Sequence, residues 1–251
     1  MIKRTNTLTL SDSLLEAEHS FLSVLKQYLM HHRGAYLVIE GVDLTGKDSQ
    51  CRRICRLIER ANIQPRFVAE PGTTKLGQAI RRQVKDKNSH LSPWQNVKLF
   101  TIARCDLYNR VILPAMGQGC VIVASRNWWS TIAYQGYGQG VELDRILELS
   151  HKALSMCYLK PTAGVILLAS AEARRQRRTA RDKMLLGGKK PVLHEDAFED
   201  SDDHALMDKA LAGYRQLAGK YHIPIINASV GQDAVYVATL IRLTETLKQK
   251  L

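Results

Sequence analysis

The stretch Ala35-Tyr36-Leu37-Val38-Ile39-Glu40-Gly41-Val42-Asp43-Leu44-Thr45-Gly46-Lys47-Asp48 decides the fold. It begins with a short apolar run, as a strand buried on both faces does. It ends in a glycine-bracketed loop with the spacing G-x-x-x-x-G-K. An amphipathic helical pattern over 47–61 follows directly. Strand, glycine loop and helix in this order form the context in which that spacing binds phosphate. The glycines let backbone N–H groups close around phosphate oxygens, and the helix aims its positive end at the same anion. Lys47 is long enough to reach a β- or γ-phosphate. The loop therefore predicts nucleotide-phosphate binding by Gly41, Val42, Leu44, Thr45, Gly46, Lys47, Asp48 and Ser49.

Working outward, four more apolar runs resemble the first: 66–69, 120–124, 164–169 and 223–226. Helical patterns separate them near 76–86, 93–115, 143–158, 171–183, 203–221 and 231–249. This alternation predicts an α/β fold, a P-loop three-layer α/β/α architecture around a five-stranded parallel sheet. Ligands then bind beyond the carboxyl ends of the strands. Residues 1–33 read as an N-terminal helical extension. Ser11 or Asp12 is its expected N-cap, and Leu14, Leu15, Phe21, Leu22, Val24, Leu25 and Leu29 its apolar stripe. Residues 34–251 read as one phosphate-loop α/β domain. Within it, residues of about 172–200 are charge-segregated, with arginines first, Gly187-Gly188 next and an acidic return after them. That pattern predicts an Arg-rich lid.

Composition sets outer bounds. The chain has 251 residues, of which 45% are hydrophobic, enough for a core and against wholesale disorder. No apolar run approaches the roughly 18 residues of a membrane span, and the polar start carries no secretory signal. Five cysteines without a CxxC pair read as reduced thiols, so a cytoplasmic location is expected. A net charge of +12 favours anionic partners: nucleotides, phosphorylated substrates or nucleic acid. His151, His194 and His204 lack metal-ligand spacing, and Cys51 with Cys55 reads as small apolar packing.

Several motifs, taken in order, resemble the thymidylate kinase family of nucleoside monophosphate kinases. They are Ile39 to Asp43 leading into the loop, Glu70-Pro71-Gly72-Thr73, Leu76-Gly77 with Ile80-Arg81, Leu99-Phe100 with Arg104, Ser125-Arg126-Asn127, and Ala133-Tyr134-Gln135-Gly136. The resemblance spans about residues 35–248. It implies ATP-dependent, Mg²⁺-assisted phosphoryl transfer to a pyrimidine deoxynucleoside monophosphate, dTMP to dTDP, in nucleotide biosynthesis. It also implies a homodimer. By the same resemblance Asp43 lies near the acceptor sugar or phosphate, and Glu70, Pro71 and Gly72 line the acceptor site. Phe100 stacks on the base, Arg104 contacts the base region, and Arg126 holds the acceptor phosphate. Tyr134 and Gln135 surround deoxyribose and base. Arg174, Arg178 and Arg181 approach the transferred group from the lid. The catalytic set is then Lys47, Asp43, Arg126 and those three arginines.

Two positions depart from the family pattern. The residue after Lys47, ordinarily Ser or Thr, is Asp48. The aspartate expected before Arg126 is Ser125. Ser49 is a poor substitute hydroxyl, being turned about 100° around the helix. Asp48 is thus the candidate metal ligand. One reading relocates the carboxylate to Asp48; another takes the changes as decayed chemistry. Alternative functions follow: a kinase acting on a modified pyrimidine nucleotide or on DNA, with Trp128-Trp129 as stacking surfaces, or a nucleotide-binding protein without turnover. Packing of the two tryptophans beneath the next helix is the favoured reading of that pair.

Overall fold

A computed structural model of the chain describes residues 9–186 and 204–251. In chain order the elements are α1 (Leu10–His31), β1 (Ala35–Gly41), α2 (Lys47–Arg60), β2 (Pro65–Ala69), α3 (Lys75–Lys85), α4 (Pro93–Leu107) and α5 (Leu113–Gly117). Then come β3 (Val121–Ser125), α6 (Trp129–Thr131), α7 (Leu143–Ala153), α8 (Met156–Leu159), β4 (Ala163–Leu168), α9 (Ala171–Leu186), α10 (His204–Tyr221), β5 (Ile225–Asn227) and α11 (Gln232–Lys248). The five strands pair in parallel in the order β2-β3-β1-β4-β5. All five apolar runs are strands, with ends displaced by at most two residues.

Alternation along the strands sorts the core into two layers. Tyr36, Val38, Ile122, Ala124 and Ile166 face one cluster, with Leu107, Ile112, Ile132, Tyr158 and Tyr214 from the helices. Leu37, Ile39, Val121, Val123, Val165 and Leu167 face the other, with Ile54, Leu57, Tyr236, Leu240 and Leu243. Helix α1 joins this second layer beside α11, burying Phe21, Val24 and Leu25. It thus packs on its own chain, and Tyr236 of α11 donates a hydrogen bond to Glu18 of α1 at 3.1 Å.

The structure corrects local expectations. Thr9, rather than Ser11 or Asp12, caps α1: it accepts from Asp12 N while Asp12 accepts from Thr9 N, a reciprocal capping box. Leu15 faces solvent. The pattern over 93–115 is interrupted by a π turn at Tyr108–Ile112, next to Pro114, which lacks the amide a regular helix needs. The pattern over 143–158 breaks because Ser155 caps a new turn at Met156. A helical segment over 129–138, largely a π turn at Ile132–Gly138, was hidden by its glycines. The lid tip, with Gly187, Gly188, His194 and the acidic return to Asp203, lies outside the described residues.

Register brings the site together. Ile39 and Ala69 both sit opposite Ser125. The ladder runs on past the strand ends: Glu70 N donates to Ser125 O, and Arg126 N donates to Ile39 O, both at 3.1 Å. Asp43, Glu70 and Arg126 therefore emerge at one level, beyond the carboxyl edge of the sheet.

Candidate active site

The phosphate loop is shaped by its glycines and one strained residue. Gly41 has φ +141°, and a Cβ there would lie 2.3 Å from Leu167 O of β4. Gly46, at φ +87°, starts α2 without a side-chain cap. The first N–H groups of α2 therefore have no side-chain oxygen over them and are available to an anion. Leu44 also adopts a left-handed conformation, φ 65°. The Thr45 hydroxyl is engaged inside the loop, donating to Val42 O at 2.9 Å. Arg177 of α9 clasps the loop from outside: it donates to Leu44 O at 3.1 Å and to Ala228 O at 2.5 Å.

Asp43 is the hub of the charges. It accepts from Lys47 Nζ at 3.2 Å and from Arg126 at 2.6 Å. Burial pushes its carboxyl up, but Arg126 and Lys47 overwhelm this and hold it far below the usual carboxylate range. Burial and the nearby Arg126 lower Lys47, against the pull of Asp43 and Asp48. Arg126 sits at φ 74°, donates also to Ser130 Oγ at 3.1 Å, and lies over the Tyr134 ring at 5.4 Å.

Beneath this layer are two buried carboxylates. Glu40 is fully buried and accepts from Asn127 N, Ser130 N, Ser130 Oγ, Tyr214 OH and Gly41 N at 2.7–3.2 Å. It thereby ties β1 to the segment that carries Arg126. Glu70 accepts from Arg104 at 3.1 Å and Tyr158 at 2.6 Å. Burial raises its carboxyl to about 7 even though Arg104 and Tyr158 oppose the shift. Arg104 donates further to Thr131 at 2.7 Å and to Asn127 O at 3.0 Å.

Two clefts open above these groups. One, of about 580 Å³, is lined by Asp43, Glu70, Pro71, Arg81, Phe100, Arg104, Arg126, Tyr134 and Gln135 among others. The second, of about 820 Å³, is lined by Asp43, Leu44, Gly46, Lys47, Asp48, Ser49, Ser125, Arg126 and Arg181 among others. Asp43, Glu70, Arg81 and Arg126 belong to both walls. Gly72 lies beside the first, in a smaller recess with Phe100 and Arg104. Asp48 and Ser125 touch, Ser125 Oγ donating to Asp48 Oδ1.

Most of the expected residues line these clefts, whereas Gly41, Val42, Thr45, Arg174 and Arg178 are not among their lining residues. Tyr134 is both cleft wall and core, edge-on to Tyr214. Arg181 reaches the phosphate cleft; Arg174 is half-buried, with its Nε unpartnered among the described residues. Trp128 and Trp129 are buried at 4% and 5% exposure, so they are core rather than a stacking platform. Sequence reading overlooked Glu40, Arg81, Ser130 and Arg177 as site residues. Glu40 carried a signal: a lone carboxylate in an otherwise apolar, two-sided strand must be paired. Arg177 carried none, being one arginine among many on α9.

A phosphate loop after the central strand, feeding an uncapped helix next to a second, cation-lined cleft, defines a P-loop phosphotransferase fold. The comparisons narrow the class: the thymidylate kinase family model matches residues 39–235, and the chain belongs to that family. Similar curated proteins include thymidylate kinase of Neorickettsia sennetsu, 36% identical over 54% of this chain and 66% of the relative. Another is thymidylate kinase of Chlorobium limicola, 29% identical over 73% of this chain and 82% of the relative. The fold is similar to the crystal structure of thymidylate kinase from Ehrlichia chaffeensis, with a TM-score of 0.62 and 20% identity over 84% of this chain and 98% of that one. Family membership implies nucleotide substrates. Among the described residues no helix is long and apolar enough to cross a membrane.

Proposed function

We propose that this chain transfers the γ-phosphoryl group of ATP to dTMP, giving dTDP and ADP. The observation that carries the reading is the wall shared by the two clefts, Asp43 and Arg126 above all. A donor polyphosphate on the loop and an acceptor monophosphate in the neighbouring cleft meet there. An acceptor phosphate oxygen attacks the γ-phosphorus, the bond from that phosphorus to the β–γ bridging oxygen breaks, and ADP leaves with the electron pair. The protein's task is positioning and charge neutralisation. Lys47 and the N–H groups of α2 hold the donor phosphates. Arg126 exchanges its contact with Asp43 for the acceptor phosphate, and bidentate guanidinium geometry suits that oxyanion. Phe100 offers a ring face to the base, while Tyr134 and Gln135 close the sugar side. Arg104, locked by Glu70, Thr131 and Asn127, sets the cleft floor. Arg174, Arg178 and Arg181 are the lid cations assigned to the transferred group.

The donor set fits Mg²⁺ delivered with ATP: the Asp48 carboxylate and the Ser125 hydroxyl lie in contact at the phosphate cleft. Magnesium characteristically takes one or two protein oxygens and fills its remaining positions with phosphates and water. Held by Asp48 and Ser125, the ion would supply counter-charge to the donor phosphates. The five cysteines form no disulfide, which supports assignment to the reducing cytoplasm.

The test is dTDP formation from ATP and dTMP with Mg²⁺. Turnover of about 1–100 per second is expected, the ordinary range for kinases. Absence of dTDP from folded protein that binds both nucleotides overturns the reading in favour of a non-catalytic binder.

A further inference from the structure

P-loop nucleotide sites ordinarily hold their metal with a Ser or Thr hydroxyl just after the loop lysine and an aspartate from a neighbouring strand. In this chain both groups are present, each in the other's place. The carboxylate, Asp48, stands on the first turn of α2, and the hydroxyl, Ser125, ends β3. They are 77 positions apart in sequence yet hydrogen-bonded, with Lys47 on the same wall. The sheet explains the contact. β3 is hydrogen-bonded to β1, which puts Ser125 opposite Ile39, beneath the loop that starts α2.

We infer that Asp48 and Ser125 are a reciprocally exchanged metal pair, Asp48 supplying the carboxylate and Ser125 the hydroxyl for the cation carried by the donor nucleotide. The inference rests on the phosphotransferase reading but concerns only its nucleotide half. Charge argues for it. The exchange keeps one carboxylate and one hydroxyl at the spot. Either change alone gives two carboxylates facing the polyphosphate, which repel it and each other, or two hydroxyls, which leave the cation without an anionic protein ligand. A carboxylate serving only the α2 dipole needs no hydroxyl partner on another strand, and one serving only as acceptor for Ser125 is equally well replaced by an amide oxygen.

The discriminating experiment uses the full chain, Mn²⁺ and a non-hydrolysable ATP analogue, with no acceptor present. Bound Mn²⁺ is counted by electron paramagnetic resonance, and thermal melts confirm folding. In the wild type, Mn²⁺ is held in the ternary complex. Asp48→Asn keeps the shape and the Ser125 hydrogen bond but removes the charge, so Mn²⁺ affinity falls about tenfold or more. Asp48→Ser falls similarly, and Asp48→Ser with Ser125→Asp recovers most of the loss. Wild-type Mn²⁺ affinity in Asp48→Asn overturns the pairing, as does a folded double variant no better than Asp48→Ser, or a wild type whose complex holds no Mn²⁺. Because dTMP is absent, failure to make dTDP with an intact Asp48-dependent metal site sinks the proposed acceptor reaction and leaves this inference standing.

Discussion

Arg126 combines cost and use at a single residue. A left-handed conformation in a residue with a Cβ costs on the order of 1–3 kcal/mol, and here Asp43, Ser130 and the carbonyl of Ile39 hold it. That posture aims the guanidinium at the line where the two clefts meet. A lysine in its place keeps the charge but gives up the planar fork. Arg126→Lys should therefore lower kcat by about 10²-fold or more and raise KM for dTMP, the loss expected when one oriented donor is removed. Steady-state kinetics with a melting curve check this; near-normal kcat and KM in the folded variant would remove Arg126 from the reaction. Glu70 supports a prediction in pH. Its folded value of about 7 lies above the ordinary carboxylate value of 4.5. Between these values the native state binds more protons than the unfolded state, so stability falls as pH rises through this window, by at most about 1.4 kcal/mol per pH unit. Urea midpoints of wild type and Glu70→Gln from pH 4.5 to 7.5 should show this slope only in the wild type. At this scale the loop was legible from its spacing, and Arg126, Phe100 and Tyr134 were legible as cleft-lining residues through the family resemblance of their motifs. The supporting contacts of Ser130 and Arg177 were not, since they depend on tertiary geometry that no short pattern encodes.

Elements were legible where period and length agreed. The strands sit in apolar runs too short for helices, and α2 carries its amphipathic pattern without interruption. What escaped was the segment over 129–138, whose π turn has no 3.6-residue period and whose glycines resemble a loop. The helical extension was legible as a helix but not in its task. Its stripe packs against α11 and joins the layer that α2 and α11 form, burying Phe21 and Leu25 there. Leu25 is fully buried, so Leu25→Ala should cost about 2–5 kcal/mol by lost transfer and a new cavity. Its distance from the clefts predicts unchanged kcat in the folded fraction. Denaturant melts and initial rates separate the two effects. A variant as stable as wild type would mean that α1 leaves the body without loss.

At the scale of the whole molecule, topology and charge lead to one consequence. Placing β1 between β3 and β4 gathers the loop, Glu70 and Arg126 at one edge, and the proposed donor and acceptor would approach along that edge rather than from separate faces. Two polyanions do not approach each other unaided. Part of the +12 excess lines this edge: Arg81 and Arg126 on the shared wall, Lys47 and Arg181 in the phosphate cleft. The clefts share Asp43, Glu70, Arg81 and Arg126, so a ligand that spans this line is expected to occupy both. A molecule joining adenosine to thymidine through a polyphosphate bridge makes its second contact intramolecularly, at an effective concentration in the millimolar range when the bridge matches the span. It should bind about 10²- to 10⁴-fold more tightly than either ATP or dTMP, and its affinity should vary with bridge length through a single optimum. Titration calorimetry across a series of bridge lengths measures both. The same series should lose affinity as salt rises, because the opposed charges at the shared wall are partly exposed and screened. If every bridge length bound no better than ATP alone, the two clefts would not be donor and acceptor halves of one site, and the transfer geometry proposed for Asp43 and Arg126 would fall with them.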